Sequence, residues 1–298
     1  MRVVKKLRWL FDHFMLDHFH KVVVDRYWMK WKGYKVDWDN PRDINEKIQW
    51  LMCCSDTSKW VQCADKYRVR EFVESKGYGD MLVPLLGVWN KAEDIDFKLL
   101  PDKFAIKCNH DSGSTRLIDK SSGFDEVSLR QSLAKDLKKK FGYYHGEVYY
   151  NGIKPVVIAE KLLENDEDSV SCSTIDYKVW CFDGRPYCIL TCSDRVGDTL
   201  SLNVYDRNWN LREGVLRPTE HYKDGRGNIP RPAGLERMLE AASVLSTGFP
   251  EVRVDFYESE GKVFFGEMTF SSLSGRMHYF TDDFLIELGR QCVLPERG

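Results

Sequence analysis

The stretch RVDFYESEGKVFFGEMTF, residues 253–270, constrains the fold more than any other part of the chain. Two apolar runs flank the turn-forming residues 258–261, and each run contains one acid, Asp255 or Glu267. Strand-like runs on either side of a glycine-containing turn predict a β-hairpin. The chain must therefore contain an antiparallel sheet in which two carboxylates lie among apolar neighbours.

The spacing of the two acids predicts that they share a face of the sheet. Alternate strand residues point to the same side, which groups the following residues: Arg253, Asp255, Tyr257, Phe265, Glu267 and Thr269. A three-residue turn at 259–261 predicts that Asp255 lies opposite Phe265 and diagonal to Glu267, about 7–8 Å away. Carboxylates this close repel unless a proton or a cation separates them, and oxygen ligands suit Mg²⁺. An exposed hairpin with solvated acids is the alternative.

The composition restricts the class of protein. The 298 residues are 43% hydrophobic, which is sufficient for one large domain or two smaller ones. A formal charge of −2 gives no basic field for nucleic acid, so we expect no nucleic-acid partner. The nine cysteines include no CxxC pair and no His/Cys metal spacing, so we expect reduced thiols and a cytoplasmic location.

The N-terminal segment predicts an amphipathic helix. Apolar residues fall at helical spacing, and they are Leu7, Leu10, Phe11 and Phe14. We expect this stripe to pack against the body of the protein. The alternative is peripheral contact with the inner face of a membrane through Lys5, Lys6 and Arg8. No stretch reaches the length of apolar sequence, about 18–20 residues, that crosses a bilayer.

The order of predicted elements gives the fold class. Helices are predicted over 41–54, 65–75, 128–140 and the later part of 230–245, and strands over 82–89, 104–108 and 155–160. A second hairpin is predicted over 176–192, around Asp183-Gly184. A strand–helix–strand order followed by antiparallel hairpins predicts an α+β, or mixed α/β, fold.

One lysine has the setting of a phosphate ligand. Lys107 ends an otherwise apolar strand and precedes the Gly/Ser-containing turn of residues 109–115. Free backbone N–H groups in such a turn bind phosphate oxygens, while an ammonium group neutralises their charge. The alternative is a strand-edge lysine whose head group reaches solvent.

Taken in order, these parts resemble the ATP-grasp superfamily and, more closely, its TupA-like branch, which is associated with teichuronopeptide and other surface-polysaccharide biosynthesis. The resemblance covers residues 40–280 and rests on these motifs: Asn40-Pro41, Asn45-Glu46-Lys47, Trp50, Asp65-Lys66-Tyr67, Lys107-Cys108-Asn109-His110, Asp176-Tyr177-Lys178, Phe182-Asp183-Gly184 and Phe265-Gly266-Glu267-Met268-Thr269-Phe270.

The resemblance implies a small lid and a larger antiparallel base that enclose ATP, here over 104–160 and 161–298, with residues 1–103 as a helical region packed on the core. It implies nucleotide contacts from Lys66, Lys107, Glu160, Lys161, Leu162, Lys178 and the loop residues His110, Ser112, Gly113, Ser114 and Thr115. It implies Mg²⁺ at Asp255 and Glu267. Thr269 stands where the family has an asparagine ligand, and Asp111 stands where a loop glycine is common.

The function implied by the resemblance is an ATP-dependent carboxylate–amine ligase of capsular or other cell-surface polysaccharide biosynthesis. Lys107 and either Arg253 or Arg276 would neutralise an acylphosphate or hold the substrate carboxylate. The partners would be a small or glycan-linked carboxylate and an amine. The alternatives are a nucleotide-sugar glycosyltransferase, an ATP-dependent kinase and a nucleotide-binding subunit without catalysis.

Overall fold

The computed structural model describes residues 2–165 and 169–296, with side chains from residue 9 onwards. The sequence also predicts an acidic loop at 165–168, and residues 166–168 of it lie outside the described residues. The side chains of Lys5, Lys6, Leu7 and Arg8 also lie outside them.

A small antiparallel sheet carries the lysine strand. Its strands, in spatial order, are β1 (Leu85–Trp89), β4 (Val157–Lys161), β2 (Lys103–Cys108) and β3 (Arg116–Asp119). The inward residues Phe104, Ile106, Val157 and Ala159 form its core with the helix α6 (Glu126–Asp136), which covers one face. The opposite face of β2 and β4 carries the charged residues Lys103, Lys107 and Glu160 together with Ala105 and Ile158.

A larger sheet carries the acid hairpin. Its spatial order is β10 (Lys262–Thr269), β9 (Val252–Ser259), β5 (Asp176–Phe182), β6 (Arg185–Val196), β7 (Thr199–Asp206) and β8 (Tyr222–Asp224). All pairs are antiparallel except β7 with β8. The helix α8 (Leu235–Ser246) packs against β5, β6 and β9. These antiparallel sheets confirm the predicted α+β class, and both predicted hairpins are present.

Of five further α-helices in the described chain, the first and third match predicted helices with later starts, and the other three were not predicted. They are α3 (Ile44–Cys54), α4 (Ser58–Ala64), α5 (Val69–Ser75), α7 (Phe141–His145) and α9 (Asp282–Gln291). The first predicted helix begins three residues later than expected, because the Asp43 side chain accepts from the Glu46 N–H (2.9 Å) as an N-cap. The second begins at Val69, because the Asp65 carboxylate holds the preceding residues in a turn by accepting from the backbone N–H groups of Tyr67 and Arg68.

The first two helices pack on the body through few side chains. Helix α1 (Arg2–His18) is followed by α2 (His20–Lys32), whose Val24 and Trp28 form a small buried cluster with Val36. Three members of the predicted stripe, Leu10, Phe11 and Phe14, remain 48%, 55% and 51% exposed. These three side chains are therefore not the ones that bury α1 against the body; Leu16, which is 6% exposed, is the buried one among the described side chains of that helix. No helix among the described residues is long and apolar enough to cross a membrane.

The acid hairpin differs from its predicted register. Its turn has two residues, Glu260 and Gly261, both with positive φ (54° and 67°), so Ser259 pairs with Lys262. This shorter turn pairs Phe265 with Phe256 on the core side, which corrects the predicted grouping of Phe265 with the acids. A bulge at Gly266 then places Glu267 directly opposite Asp255. The predicted diagonal arrangement is corrected to a direct one. The two acids still share a face.

Candidate functional site

Two of the lysine motifs form one buried unit at the edge of the small sheet. The Asn109 side-chain amide donates to the Asp65 carboxylate (2.8 Å), and its oxygen accepts from the Val156 N–H (2.8 Å). The Lys66 N–H donates to the Asn109 carbonyl oxygen (3.1 Å). Asn109 and Asp65 are each 1% exposed. These contacts fix Lys66 beside the loop that follows Lys107.

Lys107 lies on the polar face of the small sheet with the acid that ends β4. Its Nζ is 2.6 Å from Glu160 Oε2, and Arg70 Nη1 is 3.3 Å from Glu160 Oε1. On the next residue, the Lys161 N–H donates to the Pro84 carbonyl oxygen (2.9 Å), and its ammonium pairs with Glu260 of the large sheet (3.2 Å). Half-buried Leu162 follows. The predicted nucleotide residues of β2 and β4 thus lie together where the two sheets meet.

The loop of residues 110–115 has an exposed side and a buried side. Ser112, Gly113 and Thr115 are exposed, and Gly113 has a φ of 82° with open space where a Cβ would be. His110, Asp111 and Ser114 are buried. Such a loop can bend around a ligand on its exposed side, since glycine adopts positive φ at little cost. The structure therefore leaves the predicted phosphate loop accessible.

Asp111 points inward from this loop. Its carboxylate accepts from the Ser114 hydroxyl and lies 3.8 Å from Lys139 Nζ. The neighbouring His110 contacts the Lys139 carbonyl oxygen through Nε2 (3.2 Å). Burial raises the pKa of Asp111. The negative charge that departs from the family pattern therefore faces the protein interior and not a phosphate bound over the loop.

Lys66 connects the loop to the large sheet. Its Nζ donates to the Asp111 carbonyl oxygen (2.5 Å) and lies 3.9 Å from Glu267 Oε2. A single ammonium group therefore lies between a loop of the small-sheet side and a strand of the large sheet. A phosphate placed between the two sheets would meet this cation.

A buried charge cluster replaces the expected pair of repelling acids. Asp255 is 1% exposed, and its two oxygens accept from Arg253 Nε and Nη2 (2.7 Å each). Lys178 Nζ also donates to Asp255 Oδ2 (2.6 Å) and lies 3.6 Å from Asp176. Burial alone would raise the pKa of Asp255, but the two cations outweigh it and lower that pKa below its usual value. Asp255 is therefore stabilised in its charged form by the protein itself.

Glu267 is the accessible acid of the hairpin. Its side chain is 39% exposed, and it lies 3.6 Å from Arg253 Nη2. The Thr269 hydroxyl donates to Glu267 Oε1 (3.2 Å) and accepts from Arg253 Nη2 (3.1 Å). The Mg²⁺ that the family implies fits Glu267, whose carboxylate reaches the cavity. Asp255 does not fit as a ligand in this arrangement, since both of its oxygens accept from cations.

The possible metal ligands near Glu267 are few. In the part of the chain that the structure describes, no three His, Cys, Asp or Glu side chains are grouped to hold a metal ion. A metal at Glu267 would therefore need most of its ligands from the phosphates and water, which is common for Mg²⁺.

A central cavity of about 650 Å³ lies over the large sheet and reaches the phosphate loop. Its lining includes Lys66 and Ser112 together with Arg253 and Glu267. Five cations line it in all: Lys66, Lys178, Arg195, Arg253 and Arg276. Apolar residues of β6 and β7 form part of the lining: Leu190, Cys192, Leu200 and Leu202. Lys178, Arg195 and Arg253 pair with Asp176 or Asp255, so an anionic ligand in the cavity would be met mainly by Lys66 and Arg276.

A strained loop forms another wall of the cavity. Leu273 and Ser274 have φ values of 46° and 55°, a left-handed conformation that is costly for residues with a Cβ. Gln49 Nε2 donates to the Ser274 carbonyl oxygen (2.6 Å), and Asn45 exchanges two hydrogen bonds with the Met277 backbone. Helix α3 therefore holds the loop in place. The motif at residues 45–47 supports the wall of the cavity.

Glu147 is a cavity residue that the sequence pattern did not indicate. It is buried, accepts from the Ser271 hydroxyl and lines the cavity beside Arg276. Burial raises the pKa of Glu147, and hydrogen bonds from Ser271 and Ser274 offset part of the shift. Arg195, Tyr222 and His278 also line the cavity without having been predicted. None of these residues stands in a recognisable motif, because the fold alone brings them together.

Comparison with known proteins gives one family. The family model described as TupA-like ATPgrasp matches residues 46–293. No curated protein sequence matches the chain.

Solved structures give distant likenesses. A D-alanine–D-alanine ligase from Bacillus anthracis complexed with ATP is 16% identical, with 87% of this chain and 74% of that chain covered and a TM-score of 0.44. The Helicobacter pylori enzyme of the same name is 14% identical, with 86% and 68% covered and a TM-score of 0.46. The ATP-grasp ligase PsnB complexed with minimal precursor is 14% identical, with 80% and 63% covered and a TM-score of 0.39.

Proposed function

The chain belongs to the TupA-like ATP-grasp family, and we propose that it is an ATP-dependent ligase that joins a carboxylate to an amine through an acylphosphate. A carboxylate oxygen attacks the γ-phosphorus of ATP and ADP leaves. The amine then attacks the acyl carbon, phosphate leaves with the electrons of the broken C–O bond, and the amine nitrogen loses a proton. The product is an amide.

One observation carries this proposal. The loop side contributes Lys66 and Ser112 to the same cavity that Arg253 and Arg276 line from the large-sheet side. Phosphates bound near Lys66 and a carboxylate bound near the arginines would therefore occupy one continuous space. Holding both reactants in one space converts a bimolecular step into an intramolecular one.

The roles of the residues follow from their contacts. Lys66 and the exposed side of the 110–115 loop bind phosphate oxygens, and Lys107, after separating from Glu160, adds a second cation. Arg253 and Arg276 neutralise the carboxylate and then the acylphosphate. Mg²⁺, when bound with ATP at Glu267, would supply further charge neutralisation.

The substrate that we propose is a uronic acid or amino acid unit of a capsular or other cell-surface polymer. The family membership and the cavity cations Lys66 and Arg276 support an acidic acceptor. We propose a cytoplasmic location, which the free thiols of the described cysteines support.

The reaction is tested by ADP release. The protein is screened with Mg-ATP against uronic acids and amino acids, separately and together. We expect ADP to accumulate only when a carboxylate and an amine are both present. Steady turnover with a carboxylate alone, and a stable phosphorylated product, would instead identify a kinase.

Nucleotide binding gives a simpler prediction. Mg-ATP is expected to raise the thermal midpoint, by about 2.7 kcal/mol in free energy at one hundred times its Kd, whereas UDP-glucuronate is expected to have no effect. The reason is the cationic loop–cavity arrangement around Lys66. Differential scanning fluorimetry measures both. Equal stabilisation by UDP-glucuronate would contradict the assignment to ATP.

Lys107→Ala is expected to weaken ATP binding about 10–100-fold, because it removes a cation worth roughly 1.4–2.8 kcal/mol to the phosphates. Lys103→Ala is the matched control, since Lys103 lies on the same face of β2 but pairs with exposed Glu164. Isothermal titration calorimetry with a non-hydrolysable ATP analogue measures both Kd values. Equal effects of the two variants would show that Lys107 has no special role.

A further inference from the structure

A group of large apolar side chains at the N-terminus is exposed. This N-terminal patch consists of Trp9, Leu10, Phe11, Phe14 and Phe19, each about half exposed. Leu10, Phe11 and Phe14 recur at helical spacing and share one side of α1, and the Phe14 and Phe19 rings are 6.0 Å apart. Scattered exposed residues need no explanation, but an exposed apolar stripe on an amphipathic helix indicates a binding surface.

The same segment carries a charge opposite to that of the rest of the chain. Residues 1–35 contain nine Lys or Arg and three Asp or Glu, a formal charge of +6, whereas the whole chain carries −2. Residues 36–298 therefore carry −8. The described cations Lys21, Arg26, Lys30 and Lys35 are exposed. A cationic segment with exposed aromatic residues is typical of helices that lie in the interface of an anionic membrane.

We propose that α1 and α2 bind the surface of an anionic lipid bilayer, with the N-terminal patch inserted at the level of the headgroups. The lysine and arginine side chains contact lipid phosphates. A second copy of the chain fits this surface less well, because contact through the same segment would oppose two charges of +6. The aromatic side chains suit the boundary between headgroups and acyl chains.

The bound helices would keep the central cavity near the membrane. Arg276, which lines the cavity, lies over the Tyr27 ring of α2 at 5.7 Å. Tyr143 of α7 donates to Asp17 of α1 (2.9 Å) and stacks on His13 (3.6 Å between ring centroids). Resting on the proposed function, this contact would suit an acceptor polymer held at the membrane. The lipid binding itself does not depend on that function.

The experiment is co-sedimentation of the full chain with vesicles. We expect binding to vesicles of equal parts phosphatidylglycerol and phosphatidylcholine, little binding to pure phosphatidylcholine, and weaker binding as salt is raised. The triple change Leu10→Ser, Phe11→Ser and Phe14→Ser is expected to weaken binding about tenfold or more, since three apolar side chains no longer enter the bilayer. Leu99→Ser with Leu117→Ser, two exposed residues elsewhere, is the matched control and is expected to change nothing.

A charge variant keeps the test independent of the folding of α1. Arg26→Glu with Lys30→Glu is expected to weaken binding to the anionic vesicles by a similar factor. An unchanged response of the thermal midpoint to Mg-ATP separates a loss of membrane binding from a failure of the proposed function. Absence of binding by the wild type, or binding that the serine variant retains, would overturn the proposal. A wild-type dimer that the serine variant dissociates would assign the patch to a second copy.

Discussion

Asp255→Asn is expected to lower the free energy of unfolding by about 3–5 kcal/mol, because it removes the buried partner of two cations. Arg253 and Lys178 both donate to this carboxylate, and all three groups are largely buried. Asparagine offers one acceptor oxygen, and its amide hydrogens would face an ammonium or a guanidinium group. Urea unfolding at neutral pH measures the change. A variant as stable as the wild type would show that the cluster is relaxed by water or by movement of Lys178.

Glu267→Gln is the control on the neighbouring strand. Glu267 is directly opposite Asp255, but its side chain is 39% exposed and its cations lie at 3.6 and 3.9 Å. Exposed ion pairs contribute about 0–1 kcal/mol, so we expect little loss of stability. The response to Mg-ATP should instead be reduced, since Glu267 lines the cavity. If Glu267→Gln lost stability and Asp255→Asn lost only the response to Mg-ATP, Asp255 would be the ligand-binding acid and Glu267 the structural one.

The expected result for Asp255 reverses what the hairpin sequence suggests by itself. Alternation along the strands correctly places Asp255, Glu267 and Arg253 on one face. The sequence contains no sign that Arg253 folds back onto Asp255, two residues away, or that β5 brings Lys178 to the same carboxylate. The pairing of strands that are distant in the sequence therefore decides which cations surround Asp255. The periodicity of residues within one strand does not contain that information.

The register of the hairpin shows a second limit of the sequence. The turn glycine predicts the hairpin correctly, but the positive φ of Glu260 shortens the turn by one residue. The shorter turn moves Phe265 to the core side, and the bulge at Gly266 returns Glu267 to the face of Asp255. A Cβ at Gly266 would approach the Asp255 carbonyl oxygen to 3.1 Å, so close contact between the strands favours glycine there. The shorter turn and the bulge shift the register in opposite senses, so the two acids still lie on the same face of the sheet.

The individual motifs of the site could be predicted from the sequence, but the contacts that bring them together could not. The motifs around Lys66 and Lys107 each indicate a phosphate contact only weakly, whereas the Asp65–Asn109 hydrogen bond makes them one unit. Glu147 gave no signal, because the hydrogen bond that marks its place in the cavity comes from Ser271, 124 positions away. Residues that meet through tertiary contacts can be predicted only where a motif is already known.

A second large effect on stability is expected at Glu251, the residue that directly precedes β9. Its side chain is fully buried, Trp180 Nε1 donates to Oε1 (2.8 Å), and Oε2 has no hydrogen-bond partner among the described residues. Burial raises the pKa of Glu251 to about 8, although the Trp180 hydrogen bond and Arg253 oppose the shift. The folded protein therefore keeps a proton that the unfolded chain loses near its ordinary pKa of 4.5.

Glu251→Gln is expected to become more stable relative to the wild type as the pH rises from about 4.5 to about 8. A raised carboxyl pKa contributes stability that is complete below the unfolded value and is lost as pH rises through the folded value. The difference is on the order of 4 kcal/mol at the upper end, because glutamine resembles the protonated acid and still accepts from Trp180. Urea unfolding of both proteins across this pH range measures it.

Asp255→Asn provides the contrast in the same series. The pKa of Asp255 is lowered, whereas that of Glu251 is raised, so the two acids change stability with pH in opposite directions. The stability that Asp255 contributes is present above the ordinary aspartate pKa of 3.8 and is lost as the pH falls below it. The asparagine variant should thus fall furthest below the wild type at neutral pH, where the glutamine variant of Glu251 gains. Parallel curves for wild type and Glu251→Gln would show that Glu251 is ionised in the folded protein, with a cation or water at Oε2.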